Sequence, residues 1–203
     1  MARRSDHTRA EQRDMALAAA RKIVNTKGLQ GLTTRAVAQR MGYTVGTLYL
    51  IFNNLNDLIH AINAQTVAKM RLQMEQATAG QADPAERLKA MARSYQVYAL
   101  ANPNLWRLAF EHQVPEEEAI PEFILAETDQ VFMAVLNAFH ELLPELDNAA
   151  LTIIGAAFWS AIHGVCHLAI TDTLRVAHTE AEHAVLECQV NTFLSGIVAE
   201  HRG

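Results

Sequence analysis

Four stretches of this 203-residue chain carry the residue types that chemistry uses. His163 and His167 stand four apart on one helix face with Cys166 beside them, a geometry open to a metal ion, yet two imidazoles need further ligands that no spacing here supplies. Cys166 and Cys188 are the two cysteines. No Lys or Arg lies within a helical turn of Cys166 to favour its thiolate; Arg175 is nine positions on. Glu116, Glu117 and Glu118 sit inside "VPEEEAIPE", which reads as a solvated loop rather than acid–base machinery. No Gly-x-Ser-x-Gly elbow, phosphate loop or Gly-x-Gly-x-x-Gly stretch is present. An enzyme, a bound metal and a cofactor are therefore not expected. The fourth stretch, "TTRAVAQRMGYTVGTLYLIF" from Thr33 to Phe52, has the outline of two short helices around Gly42. That is the outline of a device for reading DNA.

Its chemistry is unusual for a polyanion reader, because the second helix carries no charge. Val37 and Met41 share one face of the first helix, and Leu48 and Phe52 share one face of the second. Each pair is spaced to close on an apolar partner. With Leu48 and Phe52 inward, rotation of 100° per residue turns Gly46 and Leu50 outward, with Thr47 and Tyr49 at the flanks. Glycine lets the backbone approach base edges, the hydroxyls suit phosphates or bases, and Leu50 can touch thymine methyl groups. Attraction must then come from Arg35, Arg40 and the N-terminal Arg3, Arg4 and Arg9, a division between positioning and reading contacts. The charge distribution agrees. Residues 1–60 hold nine Lys/Arg against four acids, and the remainder eight against eighteen. The head is thus basic on an acidic body.

Helix punctuation dominates the rest of the chain, and no segment sustains β alternation. Thr8-Arg9-Ala10-Glu11 is a capping box that opens a helix with Ala16, Ala19, Ala20, Ile23 and Val24 on one side and Gly28 as its stop. Further helices are expected at Thr34–Met41, Thr44–Ile51 and Asn56–Ala79. Asp83-Pro84 and Asn102-Pro103 open the next two. Helices at about 122–143, 148–170 and 180–200 follow, the last begun by a box at Thr179-Glu180-Ala181-Glu182. The fold class is all-α with about nine helices. Residues 1–56 form the helix-turn-helix domain, its connecting helix running to about residue 80, and 57–203 form the body. No run approaches the roughly 20 uninterrupted apolar residues of a membrane span. "MARRSDHTRAEQ" lacks an apolar stretch, so a cytoplasmic protein with no membrane partner is expected.

"GLTTRAVAQRMGYTVGTLYLIFNNLNDLIHAI" resembles the helix-turn-helix of the TetR (tetracycline-repressor) family of bacterial transcriptional regulators. The matching features are Gly31, Thr33-Thr34, Ala38, Gly42, Gly46-Thr47-Leu48-Tyr49, Phe52 and Leu58, within a match over about residues 8–62. "AFWSAIHGVCHLAI", ending at Ile170, resembles a Trp-x3-His-Gly pattern in one branch of the family's C-terminal domains. The resemblance implies that Thr33, Thr34 and Tyr49 meet DNA phosphates. It places Arg35, Thr44, Val45, Gly46 and Leu50 at or near bases. One departure stands out: the family usually has a phosphate-binding lysine where this chain has Leu55, which leaves an apolar residue near the DNA surface.

In the body, Ala156, Ser160 and Gly164 are small residues four apart on the eighth helix. Leu186, Val190, Phe193 and Ile197 form one stripe of the ninth. These two helices are read as packing on their copies in a homodimer, the arrangement that lets two short reading helices recognise a palindrome. The resemblance further implies a cavity for an unidentified small-molecule effector that changes the spacing of the two heads. The residues expected to line it are Tyr95, Tyr98, Trp106, Phe110, Phe132, Trp159 and His163. The expected function is a dimeric repressor of double-stranded operator DNA released by that effector. The alternative is a helical metal- or small-molecule-binding protein whose head has lost its DNA role.

Overall fold

The structure, a computed structural model, describes residues 7–113, 120–174 and 181–202. Arg3, Arg4, Arg175, most of "VPEEEAIPE" and the Thr179-Glu180 half of the last capping box lie outside them. The described residues form nine helices and no strand. They are α1 (Arg9–Lys27), α2 (Thr34–Met41), α3 (Val45–Tyr49), α4 (Leu55–Thr78), α5 (Pro84–Ala101), α6 (Pro103–Glu111), α7 (Glu122–Leu142), α8 (Asn148–Ile170) and α9 (Ala181–Arg202). A single 3-10 turn, Leu29–Gly31, follows α1.

The starts of these helices are dictated locally. Thr8 Oγ1 accepts from the Glu11 backbone N–H, while the Glu11 carboxylate takes the Thr8 N–H at 2.6 Å and its hydroxyl at 2.9 Å, two bonds that hold this carboxyl below its usual range. Thr33, Thr44 and Asp147 cap α2, α3 and α8 through their side-chain oxygens. The Asp57 N–H donates to Asn54 Oδ1 at 2.8 Å where α4 begins. Gly42, with φ of 75°, closes α2 in the left-handed conformation that permits the tight turn into α3.

The chain forms two compact units that are not contiguous in sequence: 1–67 with 102–125, and 68–101 with 126–203. In the first, α6 packs on α1, so this unit takes in residues beyond the expected boundary at 56. Its core joins Ala16, Ala20 and Val24 of α1 to Val37 and Met41 of α2, Leu48, Phe52, Leu58 and Ile62, with Leu105 and Leu108 from α6. In the second unit α5, α8 and α9 pack together. The Arg93 guanidinium makes a forked bond to Glu187, and the buried Gln96 amide donates to the Glu182 carbonyl at 2.9 Å and accepts from His183 Nδ1 at 2.6 Å. Alone among the described helices, α8 has the length and apolarity of a membrane span, with mean hydropathy 1.6. It packs on α5 and α9, but 33% of its apolar window is buried, so much of its surface stays uncovered.

Two conformational devices hold the helix-turn-helix, and both can be tested by thermal unfolding. Thr44→Ala removes the cap of a five-residue helix and should cost about 1 kcal/mol. Gly42→Ala forces a side chain into the left-handed region and should cost about 1–2 kcal/mol. Either variant is expected to melt a few degrees below the parent.

Candidate nucleic-acid interface and the body of the chain

The reading face is set by what α3 buries. Leu48 is 2% and Phe52 4% exposed, against Val37, Met41 and the small residues of α1. The outward side of α3 follows: Leu50 is 71% exposed, Tyr49 53%, Gly46 is exposed, and Thr47 and Val45 are half-buried. The expected helix over Thr44–Ile51 is shorter, Val45–Tyr49, because Thr44 serves as cap and Leu50 closes the end. Ile51 is half-buried and leans on the core. Thr33, with its side chain in the α2 cap, is exposed, as are Arg35, Arg40 and Thr44; Thr34 is half-buried.

Two contacts beside this face were not read from the sequence. The Arg13 guanidinium sits 4.8 Å from the centre of the Phe52 ring, a cation–π contact that spends one of the head's charges on its own core. His7 Nδ1 lies 2.7 Å from the Tyr43 hydroxyl and ties the segment before α1 to the turn between α2 and α3. Leu55, which stands where the family usually has lysine, is half-buried against the head core, because an apolar side chain at the start of α4 has a core to fold onto. These contacts join residues 36 or more positions apart, beyond the reach of helical periodicity.

In the second unit the structure brings together part of the expected effector set. The Tyr95 hydroxyl is 2.9 Å from His163 Nδ1, and the Tyr95 and Trp159 rings lie 4.6 Å apart. Tyr98 is buried nearby on α5, and the Phe132 ring of α7 lies 3.5 Å from where a Cβ on Gly155 would stand. Trp106 and Phe110 belong instead to the first unit, on α6, with rings 5.3 Å apart and Trp106 fully buried. A groove of about 510 Å³ opens within the first unit between the end of α1 and α6, edged by Lys27, Gly28, Asn104, Arg107, Glu111 and His112. None of the seven expected residues borders it.

The surface expected for self-association needs a correction on α9. Leu186 and Val190 are 1% and 3% exposed, so the chain's own core has consumed them. Phe193 is half-buried against Phe139 and Phe158, its ring 5.5 Å from the latter, and Ile197 is half-buried. The exposed residues of α9 include the small Ala184, Cys188, Thr192, Ser195, Gly196 and Ala199 together with His183, Asn191, Glu200 and His201. On α8 the small residues do face outward: Ala156 and Ser160 are exposed, Gly164 is half-buried, and Ile153 is 71% exposed in line with them.

His163 is bonded to Tyr95, His167 is exposed, and Cys166 points into the core, so their sequence spacing does not assemble one site. Among the described residues no group of three His, Cys, Asp or Glu is placed to hold a metal. Burial pushes the Cys166 thiol up to about 12, whereas Cys188 is exposed. Because this pKa is raised on folding, the thiol favours the folded state below its unfolded value of 9.0 and loses that contribution as pH climbs toward 12. Labelling with an aromatic disulfide at pH 8 should therefore spare the Cys166 thiol until the protein is denatured, and a Cys188→Ser variant should show no reactive thiol while native.

Comparison with known proteins agrees with this geometry. The family described as bacterial regulatory proteins, tetR family, matches residues 16–62, and the tetracyclin repressor-like C-terminal domain matches residues 88–193. An uncharacterized HTH-type transcriptional regulator of Mycobacterium tuberculosis, Rv0681, is 26% identical over 78% of this chain and 70% of its own. A protein of unknown function from Rhodococcus sp. RHA1 superposes with a TM-score of 0.78 at 19% identity, over 96% of this chain and 98% of its own. The regulator FadR of Bacillus subtilis, solved with stearoyl-CoA, gives a TM-score of 0.70 at 14% identity over 87% and 97%. With family matches over both the reading head and most of the body, and a helix-turn-helix built as described, the chain belongs to the TetR family of transcriptional regulators.

Proposed function

We propose that the protein is a homodimeric repressor that holds a palindromic operator with two copies of α3 and leaves it when a small molecule occupies the body. The observation that carries this reading is the exposed side of α3. Leu50 and Tyr49 are large apolar or aromatic side chains left 71% and 53% exposed at the end of a helix whose opposite side is core. A face of that kind is explained by a partner, and the basic surroundings supplied by Arg35, Arg40 and Arg9 favour a polyanion. Thr33, Thr34, Thr44, Thr47 and Tyr49 supply hydroxyls for phosphates, while Val45, Gly46 and Leu50 lie where base edges would be met. Arg3 and Arg4 would add phosphate contacts from the N-terminal arm.

Dimerisation is supported by the outward face of α8, where Ile153, Ala156, Ala157, Ser160 and Gly164 form a flat apolar strip on a helix mostly uncovered by its own chain. The small outward residues of α9 let a second helix pair approach closely. For the effector, Tyr95 and His163 offer a hydroxyl–imidazole pair beside Trp159, polar handles among apolar walls. The Bacillus subtilis neighbour, solved with stearoyl-CoA, supports an effector that carries an apolar chain here. Such a ligand acts through unequal affinity for the DNA-fitting and DNA-misfitting forms. The protein would then act in the cytoplasm, as a regulator and not an enzyme.

Gel shifts with duplex from just upstream of the protein's own coding sequence test this directly. Binding should weaken with salt at a log–log slope of about −0.9 per phosphate neutralised, and Arg35→Ala should cost roughly tenfold in affinity. Binding indifferent to salt would overturn the reading. Ile153→Asp buries a charge in the dimer seam. It should give a folded monomer in sedimentation and abolish operator binding, whereas a parent protein that sediments as a monomer would refute the paired-helix mechanism.

A further inference from the structure

From Met41 to Phe52 there is no Lys, Arg, His, Asp, Glu, Asn or Gln. Those are the side chains that read guanine, adenine and cytosine by paired hydrogen bonds in the major groove. What α3 presents instead is limited. The Thr44 and Thr47 hydroxyls are 3.2 Å apart and hydrogen-bonded to each other, and Thr44 Oγ1 also accepts the Thr47 backbone N–H. The pair therefore keeps a single hydroxyl proton for any outside acceptor. Leu50, 71% exposed, Tyr49, 53% exposed, and the half-exposed Val45 are the remaining outward side chains; Leu50 and Val45 end in methyl groups, and the lone Tyr49 hydroxyl cannot make a paired contact to a base.

Gly46 supplies an independent observation. A Cβ there would meet only Thr44 Oγ1, at 3.6 Å, which is ordinary contact, and its φ is not in the left-handed region. Nothing inside the protein requires glycine, although alanine at a helical position is favoured over glycine by about 1 kcal/mol. The bare backbone makes sense as room for something outside, one turn before Leu50.

Resting on the proposed operator binding, we infer that this regulator selects its half-site chiefly by the 5-methyl groups of thymine, taken up by Leu50 and Val45 while Gly46 lets the helix backbone sit against the base edges. Guanine and adenine facing α3 are then not specified by paired hydrogen bonds from the helix. Any such contact must come from arginines outside it, with Arg35 at the start of α2 the exposed candidate.

The test uses the full-length protein and a palindrome selected from randomised duplex DNA. Each thymine in the selected site is replaced in turn by uracil, which removes the methyl and keeps the pairing. Uracil at the thymines that α3 reads should cost about fourfold in affinity per methyl, the value of burying one methylene-sized group. Where such a T·A pair is changed to C·G, 5-methylcytosine should bind more tightly than cytosine. Leu50→Ala, at an exposed position, should fold normally and lose the distinction between thymine and uracil at one position of each half-site. Gly46→Ala should melt no lower than the parent yet bind the site at least tenfold more weakly. Affinity unchanged by uracil at every position would overturn the inference, as would a Leu50→Ala protein that still senses every methyl. Those results leave the regulator reading standing. If no duplex is enriched at all, both readings fall together.

Discussion

A helix of five residues cannot hold itself together in water, so α3 exists only because Leu48 and Phe52 are held in the core that α1, α2 and α4 build. That burial fixes the rotation of α3 about its own axis. Once Leu48 points in, Leu50 and Gly46 must point out, and among the described residues both are left exposed. The caps complete the constraint. Thr44 satisfies a free N–H at the start of α3, and Gly42 turns the chain so that α2 and α3 share one core. The surface offered to a partner is thus the complement of a packing decision, not a set of charges gathered for attraction. The Arg13 guanidinium lies over Phe52 and supports the same packing.

The body follows a similar division between what is consumed inside and what is left outside. The large residues of α9, Leu186, Val190 and Leu194, are spent against the chain's own helices, and Phe193 completes an aromatic cluster with Phe139 and Phe158. What remains outward on α8 includes Ile153 among small residues, and on α9 it is small or polar. Burying a few kilocalories' worth of Ile153 and its alanine neighbours between copies would give the pair its stability without large knobs. The polar network of α5 has the opposite character: Gln96 is almost fully buried yet bonded at both ends of its amide, which fixes how α9 lies along α5.

Features decided within one or two helical turns were legible in the sequence. The capping box at Thr8, the cap at Asp147, the proline starts of α5 and α6 and the inward spacing of Leu48 and Phe52 all depend on neighbours four residues away or fewer. Features decided by the choice of a distant partner were not. The stripe on α9 was recognisable as apolar, but periodicity cannot say whether a helix in the same chain or in a copy will cover it. Leu55 was judged by the lysine it replaces, when its position beside the head core decides its role. Trp106 and Phe110 looked like companions of Tyr95 because all are aromatic, yet α6 packs with the head. The His7–Tyr43 bond and the Arg13–Phe52 contact leave no local trace at all.

The central claim is that two uncharged reading helices, oriented by their cores, enter successive major grooves on one side of a duplex. Hydroxyl-radical footprinting of the complex with a bound palindromic duplex measures this most directly. The account predicts two protected patches related by symmetry on one face of the DNA, centred about one helical turn, roughly 34–36 Å, or a small multiple of it apart. A single patch at saturating protein, or protection spread evenly around the duplex, would contradict it.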